Sequence, residues 1–387
     1  MIRTHEFKLK PSKRQEATLR EWLALGCRIF NHALEDRIRA YRDHGKTLTL
    51  FDQVAELTRW RAQVDGLRAM PVDFERDALR RVDRGMKAFF RRFMSGKKPG
   101  FPRFKSTKTY QTLEFNEERA AYVTGRHVIM PKLGPIRAYG SGPYVLGTQK
   151  ILRVIQRASG WYAQIVTDDK VAPPEKHAPV SPVGIDVGLT TFATFDDGTQ
   201  IKSPKWAKRE GERLARLQRA VARAKKGSAN RRKLVLRLRR LHEKVGNRRK
   251  DFLHQCSRQI VNRHDLIAVE DLQIQNMAQN GRFAKGIMDS AWGQFVRYLD
   301  YKAEWAGGRV VRVEPRGTSQ DCSQCGTKVP KGIEVRMHRC PECGLVLDRD
   351  VNAARNILAR AVGPASQNAR RGHEVVAVEA GRVEGTH

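Results

Sequence analysis

Val183-Gly184-Ile185-Asp186-Val187-Gly188 is a short apolar run that carries one acid between two glycines. Bounded apolar runs of this length read as buried strands. A second run, Leu266-Ile267-Ala268-Val269-Glu270-Asp271, also ends on acid. Asp271 competes with Glu270 there, but strand alternation puts only one of the two on a given face. A third acidic position lies in Asp348-Arg349-Asp350, just ahead of Val351-Asn352-Ala353-Ala354-Arg355-Asn356-Ile357, which opens a helix. Either Asp348 caps that helix while Asp350 binds a ligand, or the roles reverse. An isolated acid at a strand end is commonly a cap or a turn former. A carboxylate buried beside two others, however, stays ionised only if cations neutralise the cluster. Oxygen-only ligands of that kind suit Mg²⁺.

The chain has 387 residues and a formal net charge of +33. That length allows two or three domains, each with its own core. Charge of this size repels itself in isolation and calls for a polyanionic partner. Metal-binding acids inside so basic a chain point to phosphodiester chemistry. No stretch approaches 18 uninterrupted apolar residues and no charged-then-apolar leader opens the chain, so a soluble intracellular protein is expected.

Residues 1 to about 10 alternate as a strand, with Phe7 and Leu9 against Lys8 and Lys10. Ser12 is placed as a helix N-cap, followed by Leu19, Trp22, Leu23, Cys27 and Phe30 at helical spacing. A second helix carries Leu79, Val82, Met86, Phe89, Phe90 and Phe93 on one face, expected to be core, among Arg80, Arg81, Arg84, Arg91 and Arg92. Those arginines are either a solvated face or, as their single sign favours, a surface for a phosphate backbone. The loop that follows, Gly96 to Lys105, interleaves Lys97, Lys98, Arg103 and Lys105 with Phe101 and Phe104. Cations there can hold phosphates while bases stack on rings. Residues 110–168 switch to period-two patterning, with a hairpin turning at Ser159-Gly160, and suggest a small β-barrel or sheet that closes with the N-terminal strand.

The Pro-rich stretch 171–182 reads as a linker. Beyond it, 191–195 and 199–203 form a hairpin about Asp197-Gly198. Two basic helices, joined near Lys225-Lys226-Gly227-Ser228, precede the Glu270 strand; a helix from Ser290 and a strand at 310–313 follow it. This order of elements is a ribonuclease-H-like α/β arrangement, in which acids on the neighbouring first and fourth strands meet one from the last helix. Residues 363–387 lack periodicity and read as a mobile tail.

Cys322-Ser323-Gln324-Cys325 and Cys340-Pro341-Glu342-Cys343 are two C-x-x-C knuckles with fourteen residues between them. Each pair lets two thiolates clasp one ion, and Gly326 and Gly344 permit the tight turn after each. Four thiolates close the coordination shell of a structural Zn²⁺ and leave no open position for chemistry. Cys27 and Cys256 stand apart and read as small buried hydrophobes. His242, His254, His264 and His338 lack metal-ligand spacing, no Ser/His/Asp or Cys/His arrangement is legible, and no phosphate-binding P-loop occurs.

Five segments resemble the transposon-encoded TnpB family, relatives of the compact type V CRISPR effector nucleases. They are Gly184-Ile185-Asp186-Val187-Gly188, Val269-Glu270-Asp271-Leu272, Thr318-Ser319-Gln320-Asp321-Cys322-Ser323-Gln324-Cys325-Gly326, Asp348-Arg349-Asp350-Val351-Asn352-Ala353-Ala354-Arg355-Asn356-Ile357, and Gly100-Phe101-Pro102-Arg103-Phe104. The resemblance spans nearly the whole length, and no acid is missing; a lost acid would have suggested a nuclease-dead, guide-directed binder.

The resemblance implies an α/β multi-domain protein in which a wedge-like β-barrel, interrupted by a helical recognition domain, precedes a RuvC-type nuclease with a zinc-finger insertion. On that scheme residues 1–10 and 96–170 build the wedge, 11–95 the recognition domain, 183–317 and 346–362 the nuclease, and 318–345 the zinc insertion. Asp186, Glu270 and Asp350 are implied as the catalytic acids, sharing two Mg²⁺ ions. Cys322, Cys325, Cys340 and Cys343 are implied as the ligands of one Zn²⁺. The implied activity is RNA-guided DNA cleavage beside a short adjacent motif, with a transposon-end-derived guide RNA and double-stranded target DNA as partners. The expected protein is a cytoplasmic, prokaryotic monomer that meets the nucleoid and no membrane. Arg76 and Arg80 are candidates for reading the adjacent motif, and Lys97, Lys98, Arg103 and Lys105 for gripping nucleic acid. The rival readings are a DNA transposase with a similar acidic site and a non-catalytic nucleic-acid-binding protein.

Overall fold

The structure is a computed structural model that describes residues 1–64, 66–116, 122–140, 147–175, 178–206, 210–273, 277, 286, 290–332 and 334–363. The expected mobile tail, from residue 364 on, lies outside the described residues. The chain divides into two compact units, Met1–Ala172 and Pro173–His387. None of the described helices is long and apolar enough to cross a membrane.

In the first unit, β1 (Ile2–Lys10) buries Phe7 and Leu9 and exposes the alternating Lys8 and Lys10. Ser12 then starts α1 (Lys13–His44) with a reciprocal capping box: its hydroxyl accepts from the Gln15 N–H, and Gln15 Oε1 accepts from the Ser12 N–H. The left-handed Gly45 ends the helix. α2 (Leu50–Gln63) and α3 (Val72–Met94) follow. Trp22 of α1 packs on Phe74 of α3 at 5.6 Å between ring centroids, and Phe74 on Phe115 at 4.0 Å.

The strands β2 (Thr112–Phe115), β3 (Tyr122–Thr124), β4 (His127–Met130), β5 (Gly134–Tyr139), β6 (Thr148–Arg157) and β7 (Gly160–Asp168) join β1 in one sheet. Its order is β2-β6-β7-β1-β5-β4-β3, so β1 sits in the middle, paired antiparallel with β7 and β5.

The apolar stripe expected along α3 is core only in its first half. Phe74, Ala78, Leu79 and Val82 are buried, whereas Phe90 and Phe93 are 50% and 62% exposed. The buried part of the helix ends at Val82; beyond it Phe89 packs edge-on against Phe90 and Phe101.

In the second unit, β8 (Pro182–Val187), β9 (Thr191–Phe195), β10 (Gln200–Lys202), β11 (Leu266–Glu270) and β12 (Arg309–Val313) form a sheet of order β10-β9-β8-β11-β12. β8, β11 and β12 run parallel; β9 and β10 are antiparallel. The helices are α4 (Gly211–Arg223), α5 (Ala229–Val261), α6 (Trp292–Trp305) and α7 (Arg349–Val362).

Strand alternation divides the sheet between two cores. Ile267 and Val269 pack with Leu253 and Ile260 of α5 and with Phe295 and Leu299 of α6. Leu266 and Ala268 pack with Val313 and with Ile357 of α7. The parallel strands are thus covered on both faces, as their continuous apolar sequence requires. α4 has no buried residue, and its basic side chains stand in solvent.

Candidate metal centres

Gly184 sets the distance between β8 and α7. A Cβ built there would lie 2.1 Å from the carbonyl oxygen of Ala354 and 2.8 Å from Cβ of Leu358, so only glycine lets the helix lie this close to the strand. Period-two alternation then turns Asp186 toward the same side as Gly184. Across the parallel pair, Val269 is in register with Ile185, so Glu270 and Asp186 follow one step later at adjacent carboxyl ends. Glu270 shares the face of Leu266 and Ala268, which is the face that meets α7. Ligand sites of open parallel sheets form at such strand ends.

The third acid comes from the first turn of α7. Asp348 is the N-cap: its Oδ1 accepts the backbone N–H groups of Asp350 at 2.8 Å and Val351 at 3.2 Å. Asp350, inside the helix, has its carboxylate 3.5 Å from the Arg336 guanidinium.

The electrostatics show two of the acids acting on the third. Burial first, then the charges of Glu270 and Asp350, hold the Asp186 carboxyl well above its ordinary range, and Arg349 offsets this only in part. Burial also raises Glu270, against a hydrogen bond from Thr318 and the charge of Arg360. Burial and Asp348 raise Asp350, against Arg336 and Arg349. Among the described residues Asp186 accepts no hydrogen bond and forms no ion pair. A partly buried, oxygen-only set of carboxylates, two of which raise the third by their charge, has the donor chemistry of a hard divalent cation. The three do not close into a single-ion cage: among the described residues, only the four cysteines bring three or more ligand atoms within 4.8 Å of one another.

The cysteine centre is compact. Cys322 and Cys343 lie with sulfurs 3.6 Å apart, and Cys325 and Cys340 with sulfurs 3.5 Å apart. The two knuckles repeat one geometry: the N–H of Gly326 donates to the Cys322 carbonyl and that of Gly344 to the Cys340 carbonyl. Both glycines have positive φ, 79° and 73°. The pair of strands β13 (Met337–Arg339) and β14 (Val346–Asp348) carries the second knuckle into α7. Hydrogen bonds from Thr327 lower the Cys325 thiol to about 6, so a thiolate is readily available. Four sulfurs at this spacing fit a closed tetrahedral Zn²⁺ site.

The basic candidates lie in the first unit. Arg76 and Arg80 stand one turn apart on α3, both half-buried. Lys97, Lys98 and Arg103 are exposed after α3. Lys105 differs: its ammonium lies 4.3 Å from the Phe30 ring centroid, and its backbone N–H donates to Asn31. That packing commits it to the fold. Arg81 and Arg84 are likewise engaged, both with the buried Asp77.

Several residues of the acidic centre were not singled out by sequence reasoning. Thr318 is 2% exposed and its hydroxyl donates to Glu270. Asn352 and Asn356 bind the loop that precedes Cys322. Both asparagines and Thr318 sit in quoted motifs, but a polar residue in a motif does not show which group it faces.

Comparison with known proteins places this architecture among known families. A family model described as "Probable transposase" matches residues 164–281, one described as "Cas12f1-like, TNB domain" matches 292–357, and one described as "Helix-turn-helix domain" matches 1–46. That last segment folds here as β1 and the single helix α1. A protein of Streptomyces pristinaespiralis is 32% identical over 92% of this chain and 89% of its own length. One of Escherichia coli K12 is 31% identical over 92% of both chains. Both carry the name "Putative RNA-guided DNA endonuclease". The CRISPR-associated endodeoxyribonuclease Cas12f1 of Sulfoacidibacillus thermotolerans is 26% identical over 56% of this chain and 54% of its own.

Proposed function

The chain belongs to the TnpB family, and on that premise we propose that it is an RNA-guided DNA endonuclease with a RuvC-type acidic centre. The observation that carries this reading is the delivery of Asp186 and Glu270 at adjacent carboxyl ends of β8 and β11, on the face covered by the helix that bears Asp350. When bound, a pair of Mg²⁺ ions supplies positive charge at the attacking and leaving oxygens of the scissile phosphodiester. Asp186, without a protein partner of its own among the described residues, would help to hold the ions. Glu270 and Asp350 flank it, Glu270 oriented by Thr318 and Asp350 steadied by Arg336. Asp348 is assigned to the helix cap, where its Oδ1 accepts two backbone N–H groups.

The cysteine centre organises structure and carries no chemical step itself. The first unit, with its sheet and helices α1 to α3, corresponds on this reading to the wedge and recognition domains that hold the guide RNA and the target. Arg76 and Arg80 are assigned to the target-adjacent motif, and Lys97, Lys98 and Arg103 to phosphate contacts. Base pairing with the guide, and not side-chain readout, then selects the sequence.

The test is to purify the full chain, sequence the RNA that accompanies it, and supply DNA that matches that RNA. Cleavage in Mg²⁺ that stops with EDTA or with a mismatched target is expected. RNA-free protein that engages transposon ends would favour the transposase reading instead, and guide-dependent binding without cleavage in Mg²⁺ would favour a non-catalytic binder.

A further inference from the structure

Thr318 sits in the loop between β12 and the first cysteine knuckle, four residues ahead of Cys322. It is almost fully buried, and its hydroxyl reaches two acceptors, a Glu270 carboxylate oxygen and, at 2.9 Å, the Pro315 carbonyl. Glu270 has no other hydrogen-bonding side chain among the described residues. The orientation of its carboxylate is therefore set by one hydroxyl from a different element.

That loop has little regular structure of its own, and α7 holds it by side chains. Asn356, 9% exposed, donates to the carbonyls of Thr318 at 2.8 Å and Asp321 at 2.6 Å. Asn352, fully buried, donates to the Asp321 carbonyl at 2.8 Å and accepts the Ser323 N–H at 2.9 Å. Arg360 adds bonds to the Asp321 carboxylate and to the carbonyls of Glu314 and Arg316. Ser323 lies inside the first C-x-x-C knuckle, so the ladder runs unbroken from a zinc ligand's neighbour to Thr318 and on to Glu270. The same helix carries Asp350 at its start. Buried polar networks of this kind are rigid when fully satisfied and loosen together when one member is lost.

We infer that Thr318 is a positioning residue for the acidic centre, and that through the Asn352–Asn356 ladder the cysteine centre fixes where Glu270 points. Filling the four-sulfur site with Zn²⁺ therefore raises the affinity of the acidic site for its divalent ions. This inference rests on the two-ion reading of Asp186, Glu270 and Asp350.

The experiment measures Mn²⁺ binding by electron paramagnetic resonance of the full chain as purified. Asp186→Ala, prepared in the same way, gives the background from accompanying nucleic acid. Thr318→Val keeps the shape and removes the donor. It should weaken Mn²⁺ binding about ten- to a hundredfold, the usual cost of losing a partner behind a metal ligand. Zinc content and melting temperature should stay close to those of the unaltered chain. Thr318→Ser should restore binding, and cleavage by Thr318→Val should recover at high Mn²⁺. Stripping zinc with a chelator should weaken Mn²⁺ binding similarly, with no further loss when combined with Thr318→Val. Thr318→Ala serves as the second variant if the valine protein loses its fold. Unchanged Mn²⁺ affinity in a folded Thr318 variant overturns the positioning role, and unchanged affinity after zinc removal overturns the link. If Asp186→Ala itself binds Mn²⁺ like the unaltered chain, it is the two-ion reading that has failed.

Discussion

Asp348 accepts the backbone N–H of Asp350 at 2.8 Å, which sets two acids two positions apart in different settings. The first holds the end of a helix, and the second, inside its first turn, adds the larger share of the charge that the two place on Asp186. Replacing Asp348 by Ala should cost about 1 kcal/mol of stability, as for other lost N-caps, and leave cleavage measurable. Asp350→Ala should keep its melting temperature and lose cleavage. Cleavage that survives in Asp350→Ala and vanishes in a folded Asp348→Ala would reverse the assignment.

Gly184→Ala tests the packing that brings α7 to the sheet. The added methyl would meet the Ala354 carbonyl, whose oxygen lies 2.1 Å from the Cβ position, and backbone cannot step aside as a flexible side chain can. Overpacking of this kind costs about 1–3 kcal/mol or more. Thermal melting should show the loss, and divalent-ion binding should fall with it. A variant with an unchanged melting temperature would mean that α7 does not lie on β8 as described.

The acidic centre should give the protein opposite pH dependences with and without divalent ions. Asp186, Glu270 and Asp350 are all raised in the folded state, so between their ordinary and raised values the fold binds more protons than the unfolded chain. Without divalent ions, their contribution to stability is therefore highest below the ordinary carboxylate range and declines as pH rises through that window. Mg²⁺ should stabilise more at about pH 8 than at about pH 5, because it binds the ionised carboxylates. Asp186→Asn should raise the ion-free melting temperature, by about 2–4 °C if it relieves about 1 kcal/mol of repulsion. Melting curves at several pH values check both; a lower ion-free melting temperature in Asp186→Asn would contradict the repulsion.

The cysteine centre should hold one zinc per chain by elemental analysis. Cys340→Ser should release it, and protease should then cut between residues 318 and 345 in a protein whose first unit stays intact. Structural zinc is folding energy for the segment that binds it. A full complement of zinc in that variant would remove the four-sulfur site.

Much of the fold could be read from local pattern. The capping box at Ser12, the Asp197-Gly198 turn, the buried acid-ended strands and the two C-x-x-C pairs each state their structure in a few adjacent residues. The helix α2 was not read, although Thr49 and Asp52 cap it reciprocally; its apolar face is thin, with only Leu57 and Trp60 as buried hydrophobics. The exposure of Phe90 and Phe93 was not legible either, because helical spacing shows which residues share a face and not where the neighbouring element ends. In the candidate site, the strand ends suggested Asp186 and Glu270 directly. Asp348 and Asp350 could not be separated by pattern, since capping geometry decides between them. Thr318 was hidden for a different reason: it lies in a loop and its partner is 48 residues away, at the end of a strand.

The most direct measurement is guide-directed cleavage by the RNA-loaded full chain and its Asp186→Ala, Glu270→Ala and Asp350→Ala variants, with binding of the same target measured in parallel. Each variant should keep guide and target binding and lose Mg²⁺-dependent cleavage. A folded Asp186→Ala protein that still cuts at the unaltered rate would contradict the account.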